Sequence, residues 1–205
     1  MLEQNSKFYT LQFKEENGYP IFLDGVIHES FVPKIYDKGM VYDWYDTDYG
    51  ETTDDLPPKL VWITKNKNLK FDIARGFMGF VVSSRFIEIF ERWRVRDWEI
   101  SELEVVNPKG EIVASNYFYL RQKSEYLLKD VADMEKSKYR KGKWGPEYTS
   151  LIINKAIDLD FFLSSEGILS GHPILSARAI SDLLKLNSKG FEVVPTEQIE
   201  SVLDY

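Results

Sequence analysis

The 205-residue chain has no cysteine and only two histidines, His28 and His172. Without thiols it can form no disulfide, run no thiolate chemistry and build no cysteine-based zinc site. The histidines stand in no metal-binding spacing such as H-x-x-x-H: His28 precedes Glu29, and His172 lies in the turn-forming run Ser170-Gly171-His172-Pro173. There is no G-x-S-x-G elbow, no phosphate loop and no G-x-G-x-x-G fingerprint. Ser83 and Ser84 follow a strand and precede a helix as an elbow serine would, but without the flanking glycines. The expectation is a protein without a catalytic residue, metal or cofactor. The first 13 residues lack a basic segment leading into an apolar run, so they are not read as a signal peptide. No apolar stretch approaches the roughly 18 residues that span a bilayer. A cytoplasmic protein without membrane contact is expected.

What is present is an ordinary globular composition, 43% hydrophobic and 29% charged, with a 15% share of aromatics. Aromatics serve both cores and interfaces. The net charge is −7 and the pI about 5.0. Nucleic-acid affinity comes largely from Lys and Arg neutralising phosphates, so an acidic chain argues against such a partner and for a basic protein. One basic run, Lys136, Lys138, Arg140, Lys141 and Lys143 with Tyr139 and Trp144 between, reads as a solvated glycine-containing loop.

The charge is not spread evenly. Between residues 37 and 55 stand Asp37, Asp43, Asp46, Asp48, Glu51, Asp54 and Asp55 against Lys38 alone, which accounts for six of the seven net negative charges. Tyr36, Tyr42, Trp44, Tyr45 and Tyr49 interleave them. Carboxylates beside Tyr and Trp combine long-range steering with the side chains that dominate interface energy. Asp43, Trp44, Tyr45, Asp46, Asp48, Tyr49, Glu51, Asp54 and Asp55 are therefore the candidate contacts for a basic partner. Two alternatives stay open: an acidic surface loop whose rings fold onto the core, and a calcium loop, although the acids lack the D-x-D-x-D-G spacing.

The pattern of elements predicts an α+β fold, with a mixed or antiparallel sheet, a β-hairpin and two similar strand–helix–strand units. Strands are expected at Phe8–Phe13, 60–64, 77–82, 100–106, 112–121, 149–154 and 191–195, and helices at 84–93 and 177–186. Asn107-Pro108-Lys109-Gly110 joins two of the strands as a hairpin turn. Residues 126–135 stay ambiguous. The repeat is gapless: Val81-Val82-Ser83-Ser84-Arg85, a helix and Asp97-Trp98-Glu99-Ile100 recur 93 residues on as Ile174-Leu175-Ser176-Ala177-Arg178, a helix and Gly190-Phe191-Glu192-Val193. Ser83 and Ser176 stand where an N-cap hydroxyl satisfies an orphan helix N–H. Arg85 and Arg178 fall in the first helical turn, where the dipole disfavours a cation; packing against a neighbouring loop or carboxylate is expected, with an anion site as the alternative. Residues 1–70 are read as N-terminal strands and the acidic segment packed on a main unit, 71–205.

Several stretches carry a family resemblance: VVSSRF at 81–86, NPKGEIVASNYFYL at 107–120, residues 133–139 and 150–154, and the closing strand–Ser–x–Arg–helix–Gly–Phe–Glu unit. Their order resembles the polymorphic-toxin immunity proteins, family eleven in that series, formerly a domain of unknown function. The resemblance covers roughly residues 72–196 and not the acidic segment. It implies a small α+β protein that binds a cognate toxin domain inside the producing or sibling cell and occludes its active site. It supplies no site residues. A general interaction module for a basic partner and an unrecognised carboxylate enzyme are the alternatives.

Overall fold

In a computed structural model, the structure describes residues 7–31, 33, 44, 47–48, 51–52, 54–141, 146–154, 156–164 and 171–202. In chain order the strands are β1 (Phe8–Phe13), β2 (Val26–His28), β3 (Thr47–Asp48), β4 (Glu51–Thr52), β5 (Lys59–Ile63), β6 (Ile73–Gly76), β7 (Gly79–Ser83), β8 (Trp98–Val106), β9 (Ile112–Gln122), β10 (Lys138–Lys141), β11 (Pro146–Ser150), β12 (Phe161–Phe162), β13 (Ile174–Ser176) and β14 (Phe191–Pro195). The helices are α1 (Ser84–Phe90), α2 (Leu128–Val131) and α3 (Ala177–Lys185), and a 3₁₀ segment, Thr196–Val202, follows β14.

The fold is α+β. A six-stranded sheet runs β2-β5-β8-β9-β7-β6, with β5 parallel to β8 and the other pairs antiparallel. A four-stranded antiparallel sheet runs β12-β13-β1-β14. The orders β6-β7-β9-β8 and β12-β13-β1-β14 are the same arrangement: an edge strand, the strand feeding a helix, an inserted antiparallel strand, and the strand the helix returns to. Tyr117 lies opposite Ser83 in one sheet and Phe8 opposite Ser176 in the other; Gln122 faces Trp98 as Phe13 faces Phe191. The Lys123 N–H donates to the Asp97 carbonyl (2.6 Å) as the Lys14 N–H donates to that of Gly190 (2.8 Å). Asp97 and Gly190, 93 residues apart, both sit at positive φ, 59° and 85°. The second unit thus takes its central strand from the start of the chain.

Alternation along the strands sorts the apolar side chains onto two faces. Phe80, Val82 and Leu120 join Tyr9, Leu11, Phe161 and Leu175 and the buried faces of α1 and α3 in one core shared by both units. Leu60, Trp62, Val81, Leu103 and Tyr119 face away from it and form a second core on the far face of the six-stranded sheet. Phe8, Phe162 and Ile174 do the same for the four-stranded sheet, capped by α2, Tyr148 of β11 and Ile199.

Several elements differ from the sequence expectation. The buried strand starts at Gly79 rather than Phe77, because Phe77 and Met78 form a left-handed turn (φ 57° and 64°) that closes a β6–β7 hairpin. Helix α1 stops at Phe90. The ambiguous 126–135 stretch holds the one-turn α2, with isolated bridges from Tyr126 to Ser164 and from Ala132 to Ile153 on either side of it. Residues expected as a basic loop pair as the ribbon β10–β11, so the strand expected at 149–154 lies at Pro146–Ser150.

Candidate functional site

Two charged arrangements are built by this framework, one between the units and one on the far face of the six-stranded sheet. Between the units, Ser83 Oγ accepts from the Phe86 N–H (3.2 Å), and Ser176 Oγ accepts from that of Ala179 (3.2 Å). Each hydroxyl also donates to a buried carboxylate, Ser83 to Asp72 and Ser176 to Asp160, at 2.6 Å in both cases. The second oxygen of each aspartate is held by the other unit. Ser188 Oγ donates to Asp72 (2.6 Å), while the Arg94 N–H (2.9 Å) and Nε (3.1 Å) donate to Asp160.

Arg85 and Arg178 complete the exchange. Arg85 Nη2 donates to the Leu186 carbonyl at the end of α3, and Arg178 Nη2 to the Arg92 carbonyl beyond α1 (3.0 Å). The two helices run past each other, so a cation at the start of one meets the negative end of the other, which answers its unfavourable place on its own helix. Burial alone would raise the Asp160 carboxyl; hydrogen bonds from Arg94 and Ser176 outweigh it and hold the group at about 2. These carboxylates serve the joint between units.

On the far face, the acidic segment meets the sheet. Among its described residues, Trp44 is 4% exposed and belongs to the second core. Its Nε1–H donates to Glu29 (3.0 Å), and its ring stands edge-on to Tyr119 at 6.4 Å. Trp44 therefore anchors the segment, and its ring is withdrawn from any partner. Arg121, 3% exposed, is the clamp: Nη1 donates to the Trp44 carbonyl and Nη2 to the Asp54 carbonyl. Glu99 neutralises it from β8 (2.8 Å) and also accepts from the Leu56 N–H (3.2 Å). One buried guanidinium thus fixes the backbone at two points ten residues apart. Lys123 Nζ pairs with Asp55, lowering that carboxyl through the hydrogen bond and the charge.

Between those points, β3 and β4 form a tight hairpin in which Asp48 and Glu51 are cross-strand partners. Asp54 and Asp55 are exposed. Asp43, Tyr45, Asp46 and Tyr49 lie outside the described residues. The structure thus brings Trp44, Asp54 and Asp55 together around Arg121, a residue that sequence reasoning missed. Its signal was available: an Arg inside the apolar run of β9 that must find a partner when buried.

Among the described residues no group of three or more His, Asp or Glu side chains is placed to hold a metal ion, and no helix is long and apolar enough to cross a membrane. No curated protein matches the chain. A family model described as Immunity protein 43 matches residues 11–204. That span takes in both sheets and the acidic segment, and it places the resemblance to immunity proteins in this family rather than in family eleven. The chain belongs to the Immunity protein 43 family.

Proposed function

We propose that the chain neutralises a cognate toxin domain by docking on it and occluding its active site, without chemistry of its own, and that the acidic segment 37–55 guides and seats the encounter. Membership of an immunity-protein family supports a toxin as partner. The observation that supports the rest is the Arg121 clamp, which ties Trp44 and Asp54 to the sheet at the two ends of a carboxylate-rich stretch of sequence. Fixed negative charge of this kind raises the local concentration of a basic partner and its association rate. Asp43, Tyr45, Asp46, Asp48, Tyr49, Glu51, Asp54 and Asp55 are the proposed contacts, with Trp44 as their anchor. The complex would form in the cytoplasm of the producing or sibling cell.

The test is co-expression. The C-terminal domain of the protein encoded beside this gene is induced with and without the chain, and growth is recorded. The expected result is arrest by the domain alone and rescue by the chain. A domain that is harmless alone, or arrest that the chain does not relieve, overturns the proposal.

A further inference from the structure

The turn that closes the β6–β7 hairpin is built at odds with its own backbone. Phe77 and Met78 sit consecutively at φ 57° and 64°, a region that bulky residues rarely occupy and that glycine or asparagine fills in ordinary two-residue hairpins. Glycines stand on either side, at 76 and 79, yet the two strained places carry large side chains. The Tyr119 hydroxyl donates to the Phe77 carbonyl and pins the turn. The strain displays Met78, which is 62% exposed, next to Phe22, which is 76% exposed.

These two side chains rim a cleft of about 250 Å³ that also contains Arg75 and Glu125. The Arg75 guanidinium lies against Gly171, where a Cβ would collide with it. Arg75 and Glu125 are both half-buried. Among the described residues, neither makes a hydrogen bond or an ion pair within 4 Å. Burial lowers the Arg75 pKa and raises that of Glu125, and each shift is opposed in part by the charge of the other. The cleft is smaller than the roughly 300–1,000 Å³ of small-molecule sites and has the volume of one or two side chains. A guanidinium donor facing a carboxylate acceptor matches the one carbonyl and one N–H of a peptide unit. The cleft is tied to the anchor of the acidic segment through the core: the buried Tyr119 bonds the Phe77 carbonyl and packs edge-on to Trp44.

We infer that this cleft is the anchor pocket of the toxin interface: a toxin loop inserts one bulky apolar side chain between Phe22 and Met78 and lays its peptide group between Arg75 and Glu125. The inference rests on the proposed toxin-neutralising function and names the part of the surface that holds the complex once charge has steered it. Methionine and aromatics around a desolvated arginine are the composition of interface centres, and loss of such an anchor acts mainly on dissociation.

The test uses the full chain and the purified C-terminal domain of the protein encoded beside it, with surface plasmon resonance as the readout. Met78→Gly relieves the left-handed strain while removing the side chain, so its melting temperature should equal or exceed that of the wild type. Phe22→Ser alters an exposed position and should leave the melting temperature unchanged. Each should weaken binding at least tenfold, chiefly through faster dissociation. Ile112→Ser, at an exposed apolar residue 66% accessible in the β8–β9 hairpin, should leave affinity unchanged. If the wild type binds and Met78→Gly and Phe22→Ser both bind within twofold of it, the pocket is wrong and the neutralising function stands. If the wild type itself does not bind, both fall.

Discussion

Replacing Asp160 by asparagine perturbs the joint between the two units with almost no change in shape. The carboxylate is fully buried. It accepts from Ser176 Oγ, the Arg94 N–H, Arg94 Nε and Arg94 Nη2 at 2.6–3.2 Å, with Arg178 at 3.6 Å. Asparagine keeps one acceptor oxygen, but its NH₂ must then face donors. Ser176 can turn its hydroxyl to accept, whereas a guanidinium or a backbone N–H cannot. At least one charge-assisted hydrogen bond is lost, each worth about 1.5–3 kcal/mol, and the half-exposed Arg94 and Arg178 lose a countercharge, Arg94 keeping Asp158. A destabilisation of about 3 kcal/mol is expected, a large fraction of the roughly 5–15 kcal/mol that holds a domain together. The assay is urea unfolding followed by tryptophan fluorescence, since Trp93 and Trp98 both pack on Phe161 beside the site. The pH dependence gives a second readout. The folded-state pKa, about 2, lies below the unfolded value of about 3.9. The carboxylate therefore contributes fully above about pH 4–5, and the contribution is lost as pH falls towards 2. The wild type and the variant should differ by a constant amount near neutrality and converge in acid. A loss below about 0.5 kcal/mol at pH 7, or a difference that grows on acidification, would refute the reasoning.

Ser83→Ala and Ser176→Ala each remove a helix cap and a donor to a buried carboxylate, so each should cost about 2 kcal/mol rather than the roughly 1 kcal/mol of a cap alone, measured by the same urea titration. Arg121→Ala removes the clamp and leaves Glu99 half-compensated on the sheet; unfolding should become easier by about 3 kcal/mol, and limited proteolysis should newly cut between residues 44 and 54. Reversing the charges of Asp43, Asp46 and Asp48 should slow association with the toxin domain more at low salt than at high salt, while dissociation changes little. In refolding followed by pulsed hydrogen exchange, β9 should gain protection before β1. The closure that brings β1 to β13 spans about 160 residues, against about 30 from β7 to β9, and costs about 1.5 kcal/mol more.

The shared core was legible because its residues repeat gaplessly. The Ser–x–Arg helix start and the residue before the returning strand keep the 93-residue offset, and Asp97 and Gly190 even share a backbone conformation. The partners of those serines were hidden because Asp72 lies 11 residues before Ser83 and Asp160 lies 16 before Ser176, so no fixed offset relates them. The place of β1 was hidden for a similar reason. Its counterpart β9 follows its own unit in the chain, and FYTLQF shares little with YFYLRQ beyond the central leucine. Two-residue strands such as β3, β4 and β12 are too short for a period to register. The Phe77-Met78 turn was read as strand because its bulky apolar residues look like core, and only tertiary contacts, here with Tyr119, make the left-handed conformation tolerable.

The duplication also explains where function can sit. Both units spend their inner faces on one core and their helix ends on reciprocal Asp–Ser–Arg contacts, so that half of each is fixed by the other. The outer faces are free to diverge, and they have. On the first unit the outer core takes in Trp44 and Leu56, with Asp54 and Asp55 exposed just before Leu56. On the second it is closed by Tyr148 of the ribbon whose other strand, Lys138–Lys141, is exposed at every residue and basic at three of four. The net charge of −7 is thus unevenly shared: six of the seven net negative charges fall between residues 37 and 55, tied to the first sheet at Trp44 and Asp54, whereas the described strand Lys138–Lys141 on the second is basic. A partner meeting the first face is steered by carboxylates, and one meeting the second is repelled if it is basic. Under the proposed function, the same asymmetry would favour one orientation of approach for a basic toxin domain, on the side where Tyr119 links Trp44 of the acidic segment to the Phe77 turn of the Phe22–Met78 cleft.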